Sequence, residues 1–319
     1  MAARLQIIKA QASSVDAIIV ESAVVAKALT TATMRVFASS VCDYSGPVGA
    51  SGLFVVDSSS MPPVVEFYAP EGLRATPPAA GLRCAARYLG ERLDTSNVEF
   101  AAGENEPVTA RIDVSKSPLV QATVASPSIS ITRPGLAFDW IDADLWTVTR
   151  GSQEHAVGLL QHNESFDIER LVGSVARLQD HTQDGVTVAL PLDRWGLNWA
   201  AATWSLDGSQ KIASVEGAEC VAVAAMASTK AESGDVLVRM AGGPIALVAR
   251  QDVNGAMKVD TTGNATFIFT AEVDVDEIVY SPAVVYGIDA RIEEMLAFNK
   301  IWESNRLVLE EAGITGSSL

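Results

Sequence analysis

Thiols are scarce in this chain, and their scarcity excludes several chemistries at once. Its 319 residues include three cysteines, Cys42, Cys84 and Cys220, without the paired spacing of a zinc site or a Cys-x-x-Cys redox centre. Three unpaired thiols fit a reducing compartment, so a cytoplasmic location is the expectation. Basic residues are also few: 23 Lys and Arg against 39 Asp and Glu give a formal net charge of -16. Nucleic acid and anionic membrane both recruit clustered Lys and Arg, and neither is expected as a partner. No apolar run approaches the roughly 20 residues of a membrane span. The opening Met1-Ala2-Ala3-Arg4-Leu5-Gln6 lacks the apolar core of a secretory signal. There is no glycine-rich phosphate loop and no His-x-x-x-His pair, and Gly49-Ala50-Ser51-Gly52 lacks the spacing of a nucleophile elbow. What is there, 48% hydrophobic and 19% charged residues, suits a globular chain of one large domain or two ordinary ones.

Short apolar or alternating runs dominate, at residues 5–8, 17–20, 53–56, 64–68, 98–101 and 108–112. Gly, Pro, Asp and Ser bound most of them, which is the pattern of many short strands. Two segments differ. Residues 81–92 and 217–228 are rich in Ala and apolar nearly all round, as buried helices are. Each leads through polar residues into two strand-like runs separated by a turn, and the recurrence predicts a duplicated unit of strands wrapped on one helix. A Ser-, Thr- and Pro-rich stretch, 115–131, marks the boundary. Residues 289–311 place Ile292, Met295, Leu296, Ile301, Trp302 and Leu309 among charges, predicting an amphipathic helix. Its apolar stripe is expected to cover the chain itself, with a homodimer interface as the alternative.

The segment Gly81-Leu82-Arg83-Cys84, running on into a helix, resembles the Cys-Gly-Asn-Gly-x-Arg-Cys segment of the diaminopimelate epimerase superfamily. Further pieces fall in the same order. Ile8-Lys9-Ala10-Gln11 through Asp16-Ala17-Ile18 is similar to the family's opening segment, and Gly49-Ala50-Ser51-Gly52-Leu53 to its Gly-Ala-Asp turn. Tyr68-Ala69-Pro70-Glu71-Gly72, Ser152-Gln153-Glu154-His155-Ala156-Val157 and Trp204-Ser205-Leu206 resemble its Phe-Asn-Ala-Asp-Gly, Gly-Asn-Pro-His-x-Val and Trp-Glu-Arg segments. Val236 to Gly243 and Gly263 to Phe269 resemble the closing strands.

The resemblance implies an α+β fold of two similar domains, each a mixed β-sheet or barrel wrapped around a central helix, plus a C-terminal helix. The domains are expected at 1–118, with 277–319 returning to it, and at 119–276. It further implies an active site between the halves and no cofactor. The family's two catalytic cysteines fall here on Pro78 and Ser214. Its substrate-holding polar positions fall on Val15, Ala69, Gln153, Gly185, Ser205 and Leu206.

Cofactor-free epimerisation needs an acid/base on each face of the acidic carbon. A thiol suits because a helix N-terminus favours its thiolate. Proline offers no proton or lone pair, and a serine hydroxyl is too weak an acid unaided. Two-thiol racemisation is therefore not expected. The helix mouths persist in Ala80 and Gly81 and in Gly217 and Ala218, where backbone N–H groups receive carboxylates. With Gln153 and Ser205 these are the expected contacts to a small anionic carboxylate. Glu216, Asp16, Ser214 and His155 are the candidate acid/base residues. Each has a plainer reading: Glu216 as a helix-dipole carboxylate, Asp16 as a buried structural group, Ser214 as a helix cap and His155 as a structural hydrogen-bonder. Cys84 reads as a core thiol, and Glu71 and Glu219 as solvated or structural charges. The leading expectation is a divergent cofactor-independent isomerase moving a proton on an unsaturated or imine-bearing carboxylate in biosynthesis. The alternatives are an inactive epimerase-fold binding protein and, third, a true amino-acid epimerase.

Overall fold

The computed structural model describes residues 4–13, 15–29, 31–103, 107–115, 118–125, 129–132, 143–150, 153–161, 182, 185–275 and 283–314. In chain order the first elements are β1 (Arg4–Ala12), β2 (Val15–Glu21), α1 (Ser22–Ala28), α2 (Thr31–Cys42), β3 (Leu53–Asp57), β4 (Val64–Tyr68) and β5 (Arg74–Ala75). Then come α3 (Ala79–Leu93), β6 (Asn97–Ala102), β7 (Val108–Asp113), β8 (Gln121–Ala125), β9 (Ile129–Thr132), β10 (Ala143–Arg150), β11 (Gln153–Leu160), β12 (Gly185–Pro191), β13 (Asn198–Ser205) and β14 (Gln210–Lys211). The last are α4 (Val215–Thr229), β15 (Ser233–Met240), β16 (Gly243–Gln251), β17 (Met257–Asn264), β18 (Thr266–Asp274), β19 (Val285–Ala290) and α5 (Ile292–Glu311).

The chain divides into two compact units, Met1–Val124 with Gly263–Asn299, and Ala125–Thr262 with Lys300–Leu319. The same order of elements recurs in each. In unit 1, β2 runs parallel to β3, β3 antiparallel to β4, and β4 pairs with both β5 and β6 around α3. In unit 2, β11 runs parallel to β12, β12 antiparallel to β13, and β13 pairs with both β14 and β15 around α4. The unit 2 strands close on themselves, because β16 pairs with β17 and Met257 of β17 pairs with Ile129 of β9. Strand alternation turns apolar side chains onto the enclosed helix. The helices answer with small residues. Ala80, Ala85, Ala86 and Leu89 of α3 are buried, and α4 is buried along Val215, Gly217–Met226. Each is 15 residues long and ends on a left-handed residue, Asp94 at φ 51° and Lys230 at φ 56°.

Three features differ from the expectation. Only the chain up to Asn299 returns to unit 1, because Lys300–Leu319 belongs to unit 2. Gly263 to Asp274 belongs to unit 1, not to the second half, because β18 pairs along β1 from Arg4↔Asp274 to Gln11↔Thr266. The N-terminal seam falls at Val124/Ala125, after β8 has paired with β7, and the expected seam at 276 lies outside the described residues. Helices α1 and α2 fall within residues 22–42, for which no helix was expected. Val24, Val25, Thr31, Thr33, Val36 and Val41 are weak helix formers. Burial of Met34, Phe37, Ala38 and Val41, at i, i+3, i+4 and i+7, overrides that weakness.

Helix α5 covers the chain itself through Glu294, Phe298, Asn305 and Leu309, whereas Ile292 and Leu296 stay exposed. Its anchor in unit 1 is an ion pair. Arg87 on α3 makes a two-pronged contact with Glu294, Nη1 to Oε2 at 2.6 Å and Nη2 to Oε1 at 2.9 Å. Nη1 also donates to the Ala265 carbonyl at 2.6 Å, and Nε donates to Glu91 at 2.8 Å. The guanidinium lies 3.9 Å from the Phe267 ring centre, and the Phe267 N–H donates to Glu294. A buried pair with every prong used resists loss of either partner, because the remaining charge stays desolvated. Replacing Glu294→Ala is therefore expected to remove about 3–5 kcal/mol of stability in urea denaturation. Arg250→Ala, which breaks the exposed pair with Asp260, should cost less than about 1 kcal/mol.

Candidate functional site

Helix α4 begins where β14 and a short link deliver Ser214 in extended conformation, φ -142°, ψ 115°. Its Oγ accepts the Gly217 N–H at 2.9 Å, a side-chain cap on an otherwise orphaned donor. The same hydroxyl donates to Glu216 Oε2 at 3.3 Å, and the Ser214 N–H donates to the Met240 sulfur at 3.2 Å. Ser214, Glu216, Gly217 and Ala218 thus share one turn, with the carboxylate at the positive end of the dipole. Below that turn lies a hydrogen-bond chain that sequence reading did not assemble. His155 Nε2 meets Thr187 Oγ1 at 2.8 Å, and Thr187 Oγ1 meets Thr203 Oγ1 at 2.8 Å. All three residues are buried. A Cβ on Gly217 would stand 2.5 Å from Thr203 Oγ1 and 2.6 Å from Thr187 Oγ1, so the two hydroxyls press directly on the helix backbone. The cue was the Thr187↔Thr203 cross-strand register, invisible without the fold. His155, Gly185 and Ser205 lie in one row across β11, β12 and β13. Ser205 also closes a tight turn, its carbonyl accepting the Gly208 N–H. The Gln153 side chain lies outside the described residues.

Helix α3 begins differently. Its cap is Pro78, φ -66°, ψ 138°, which offers no side-chain hydrogen bond. The proline ring presets φ, and the Pro78 carbonyl accepts the Leu82 N–H at 3.1 Å. Ala79 and Ala80 bring no functional group. A Cβ on Gly81 would stand 2.6 Å from the Phe54 ring, which itself stacks at 4.9 Å, tilted 49°, on Phe67.

Asp16 of unit 1 is held by a lysine that sequence reading passed over. Lys9 sits at a β-bulge, where the β1–β18 register shifts between Lys9 and Ala10. Its buried Nζ donates to the Gly49 carbonyl and, at 3.3 Å, to Asp16 Oδ2. Burial pushes the Lys9 ammonium below its usual range, and Asp16 only partly offsets this. The Asp16 carbonyl accepts the Ser51 N–H, and Tyr44 Oη pairs with Ser51 Oγ. Asp16 therefore stands in a structural ion pair that braces the 43–52 turn.

No thiol lies at either helix mouth. Cys84 and Cys220 occupy the sixth position of α3 and α4, and Cys42 ends α2; all three are buried. Burial pushes the Cys42 and Cys84 thiols up to about 12. Glu71 is exposed, whereas Glu219 is fully buried, which removes the solvated reading for Glu219. Among the described residues no cluster of His, Cys, Asp and Glu has the makings of a metal site, and no helix is long and apolar enough to cross a membrane.

Solved structures share this fold. A phenazine biosynthesis protein of the PhzF family from Bacillus anthracis superposes with a TM-score of 0.63 at 14% identity, over 85% of this chain and 99% of that one. The chain has the diaminopimelate epimerase-like fold. A hydroxyproline epimerase from Agrobacterium vitis, bound to trans-4-hydroxy-L-proline, gives 0.58 at 12% identity over 88% and 93%. A methylitaconate-delta-isomerase gives 0.56 at 10% identity over 87% and 97%. No protein-family model and no curated protein matches the sequence.

Two outcomes follow from the thiols of this epimerase-like fold. Iodoacetamide at pH 8 should leave Cys42, Cys84 and Cys220 unmodified in the native protein and label all three in urea, read by mass spectrometry. In alkali the sign is set by raised folded-state pKa values. The stabilisation from keeping Cys42 and Cys84 protonated is complete below pH 9 and is lost as pH rises towards about 12. Cys84→Ala should flatten that part of the pH–stability curve.

Proposed function

We propose that this protein is a cofactor-independent isomerase that moves a proton, and with it a double bond, on a small unsaturated or imine-bearing carboxylate. The observation that carries the proposal is the first turn of α4, where Glu216 shares a helix N-terminus with the Ser214 cap. The fold itself is shared with proteins named as isomerases and epimerases, which supports the reaction class. In this reading the positive end of the α4 dipole receives the substrate carboxylate, while the Gly217 and Ala218 N–H groups are already held by the Ser214 hydroxyl and carbonyl. Glu216 removes a proton from the acidic carbon, and the electron pair moves into the adjoining double bond and carboxylate. Backbone N–H groups stabilise the enolate-like charge as it develops. Glu216 then returns the proton to the far end of the conjugated system, so charge and atoms balance without a second base.

Asp16 is the weaker candidate, because its carboxylate is already paired with Lys9. One observation favours a second reading, a binding protein without catalysis. Polar family positions have become Val15, Ala69 and Leu206, and Pro78 caps α3 without any acid/base group.

Deuterium wash-in from D2O into itaconate, mesaconate and unsaturated cyclic imino acids, followed by proton NMR, tests the proposal. Glu216→Gln should lower the exchange rate by roughly 10²–10⁴-fold, the usual contribution of a positioned acid/base. Exchange by Glu216→Gln at the wild-type rate would overturn the assignment, and wild-type binding without exchange would favour the non-catalytic reading.

A further inference from the structure

The duplication offers an internal control, because each position near one helix mouth has a counterpart near the other. Gly81 and Gly217 are both third in their helices; Gly217 packs on both members of a directly paired cross-strand couple, and Gly81 packs on one member of the corresponding couple. In unit 1 that couple is Phe54↔Phe67. In unit 2 it is Thr187↔Thr203. Gly52 and Gly185 also correspond, since an added Cβ would stand 2.8 Å from the Tyr68 carbonyl in one and 2.8 Å from the Trp204 carbonyl in the other. His155 pairs with Gly185. Ile18 pairs with Leu53, so Ala17 falls beside Gly52 at the register position of His155. Three corresponding places therefore read Ala17, Phe54, Phe67 in unit 1 and His155, Thr187, Thr203 in unit 2. One set is wholly apolar, the other wholly hydrogen-bonded.

Packing alone does not require the polar set. The apolar set shows that the fold seats its helix without hydrogen bonds at these places, and buried polar groups cost stability unless each finds a partner. The unit 2 groups do find partners, in a line: imidazole to hydroxyl to hydroxyl, each link 2.8 Å, ending against the backbone of Gly217. The next residues outward are the ones with chemistry, Glu216 and the capping Ser214. At α3 the outward residues are Ala79, Ala80 and Pro78, which have none. The polar line and the reactive turn occur together, on the same side of the duplication.

We propose that His155, Thr187 and Thr203 are positioning residues for the proton transfer at Glu216, and that the chemistry belongs to the α4 half alone. The inference rests on the isomerase reading for what α4 does. Neither threonine hydroxyl nor the imidazole touches substrate. They fix the height and tilt of the first α4 turn, and through it the Glu216 carboxylate.

The test uses Thr187→Val, which removes a hydroxyl at nearly constant shape, with Thr187→Ser as the variant that restores it. In the ¹⁵N-labelled wild type, itaconate should shift both the Gly217 amide and the His155 imidazole signals. Thr187→Val should keep the Gly217 response, lose the His155 response and reduce kcat for deuterium wash-in at least tenfold at unchanged KM. Thr187→Ser should regain both. A purely structural hydroxyl would lower thermal stability yet leave the two responses linked. An intact His155 response in Thr187→Val, or equal behaviour of the Val and Ser variants, would overturn the proposal. If no α4 amide responds to any acid, the isomerase reading itself falls, and amide exchange then decides the positioning role. Gly217 and Ala218 should exchange at least tenfold faster in Thr187→Val/Thr203→Val while Gly81 and Leu82 are unchanged. Equal change at both helices, or none, would sink it.

Discussion

Two glycines allow two helices to lay their first turns directly on a sheet, and the rest of the structure is arranged around those contacts. At Gly81 the obstacle to any side chain is the Phe54 ring at 2.6 Å, and at Gly217 it is a pair of threonine hydroxyls at 2.5 and 2.6 Å. Glycine inside a helix costs about 0.5–1 kcal/mol relative to alanine. Close approach offsets this, because it fixes the helix end, and with it the orphaned N–H groups, at a defined height above the strands. The strands wrap because the helices are thin. Alanine along α3 and α4 keeps the enclosed rods narrow enough for short strands to pass on every side.

The halves have diverged by charge as well as by polarity. The fifth residue of α3 is Arg83 and that of α4 is Glu219, and both are fully buried. Arg83 Nη2 donates to Ser13 Oγ at 2.7 Å, and its guanidinium closes on Gly263, where an added Cβ would stand 2.7 Å away. Asn264, next in the chain, accepts the Ser13 N–H and donates to the Gln11 carbonyl. In unit 1 the buried charge thus locks the β1–β2 turn, whose Ser13 is itself left-handed at φ 54°. A buried charge of either sign is tolerated only with such fixed partners. One helix scaffold accommodates a guanidinium and a carboxyl group at the same place, which shows how little of the packing is dictated by sequence identity.

That tolerance explains what could be read from the sequence and what could not. Strands announced themselves through short apolar or alternating runs: 53–56, 64–68 and 108–112 all lie within β3, β4 and β7. The Ala-rich helices and the repeat were equally plain, since buried small-residue helices leave a composition signal. Helix α2 was not, although its buried Met34, Phe37, Ala38 and Val41 carried the helical period among poor helix formers. Contacts between distant residues were the larger loss. Lys9 looked like one strand lysine among several until a bulge turned it onto Gly49 and Asp16. Arg87 gave no sign of Glu294, which stands on the last helix. Thr187 and Thr203 are ordinary strand residues until register sets them side by side beneath a glycine.

The cysteines sharpen the same point about position against identity. Cys84 and Cys220 sit at matching places in α3 and α4, and both lie in the core, where burial has driven the Cys84 thiol up to about 12. Cysteine sulfur packs in the core and is absent from both helix starts. At the two helix starts the chain has Pro78, which brings no acid/base group to α3, and Ser214, which caps α4 and donates to Glu216. A thiol pair works because both partners exchange a proton near neutrality. A proline at one helix start and a capped carboxylate at the other have no such symmetry. Any proton transfer here then has one donor and acceptor, one helix behind it, and the polar line of one half beneath it. The repeat gives two equivalent helix starts, and their side chains have made them chemically unlike.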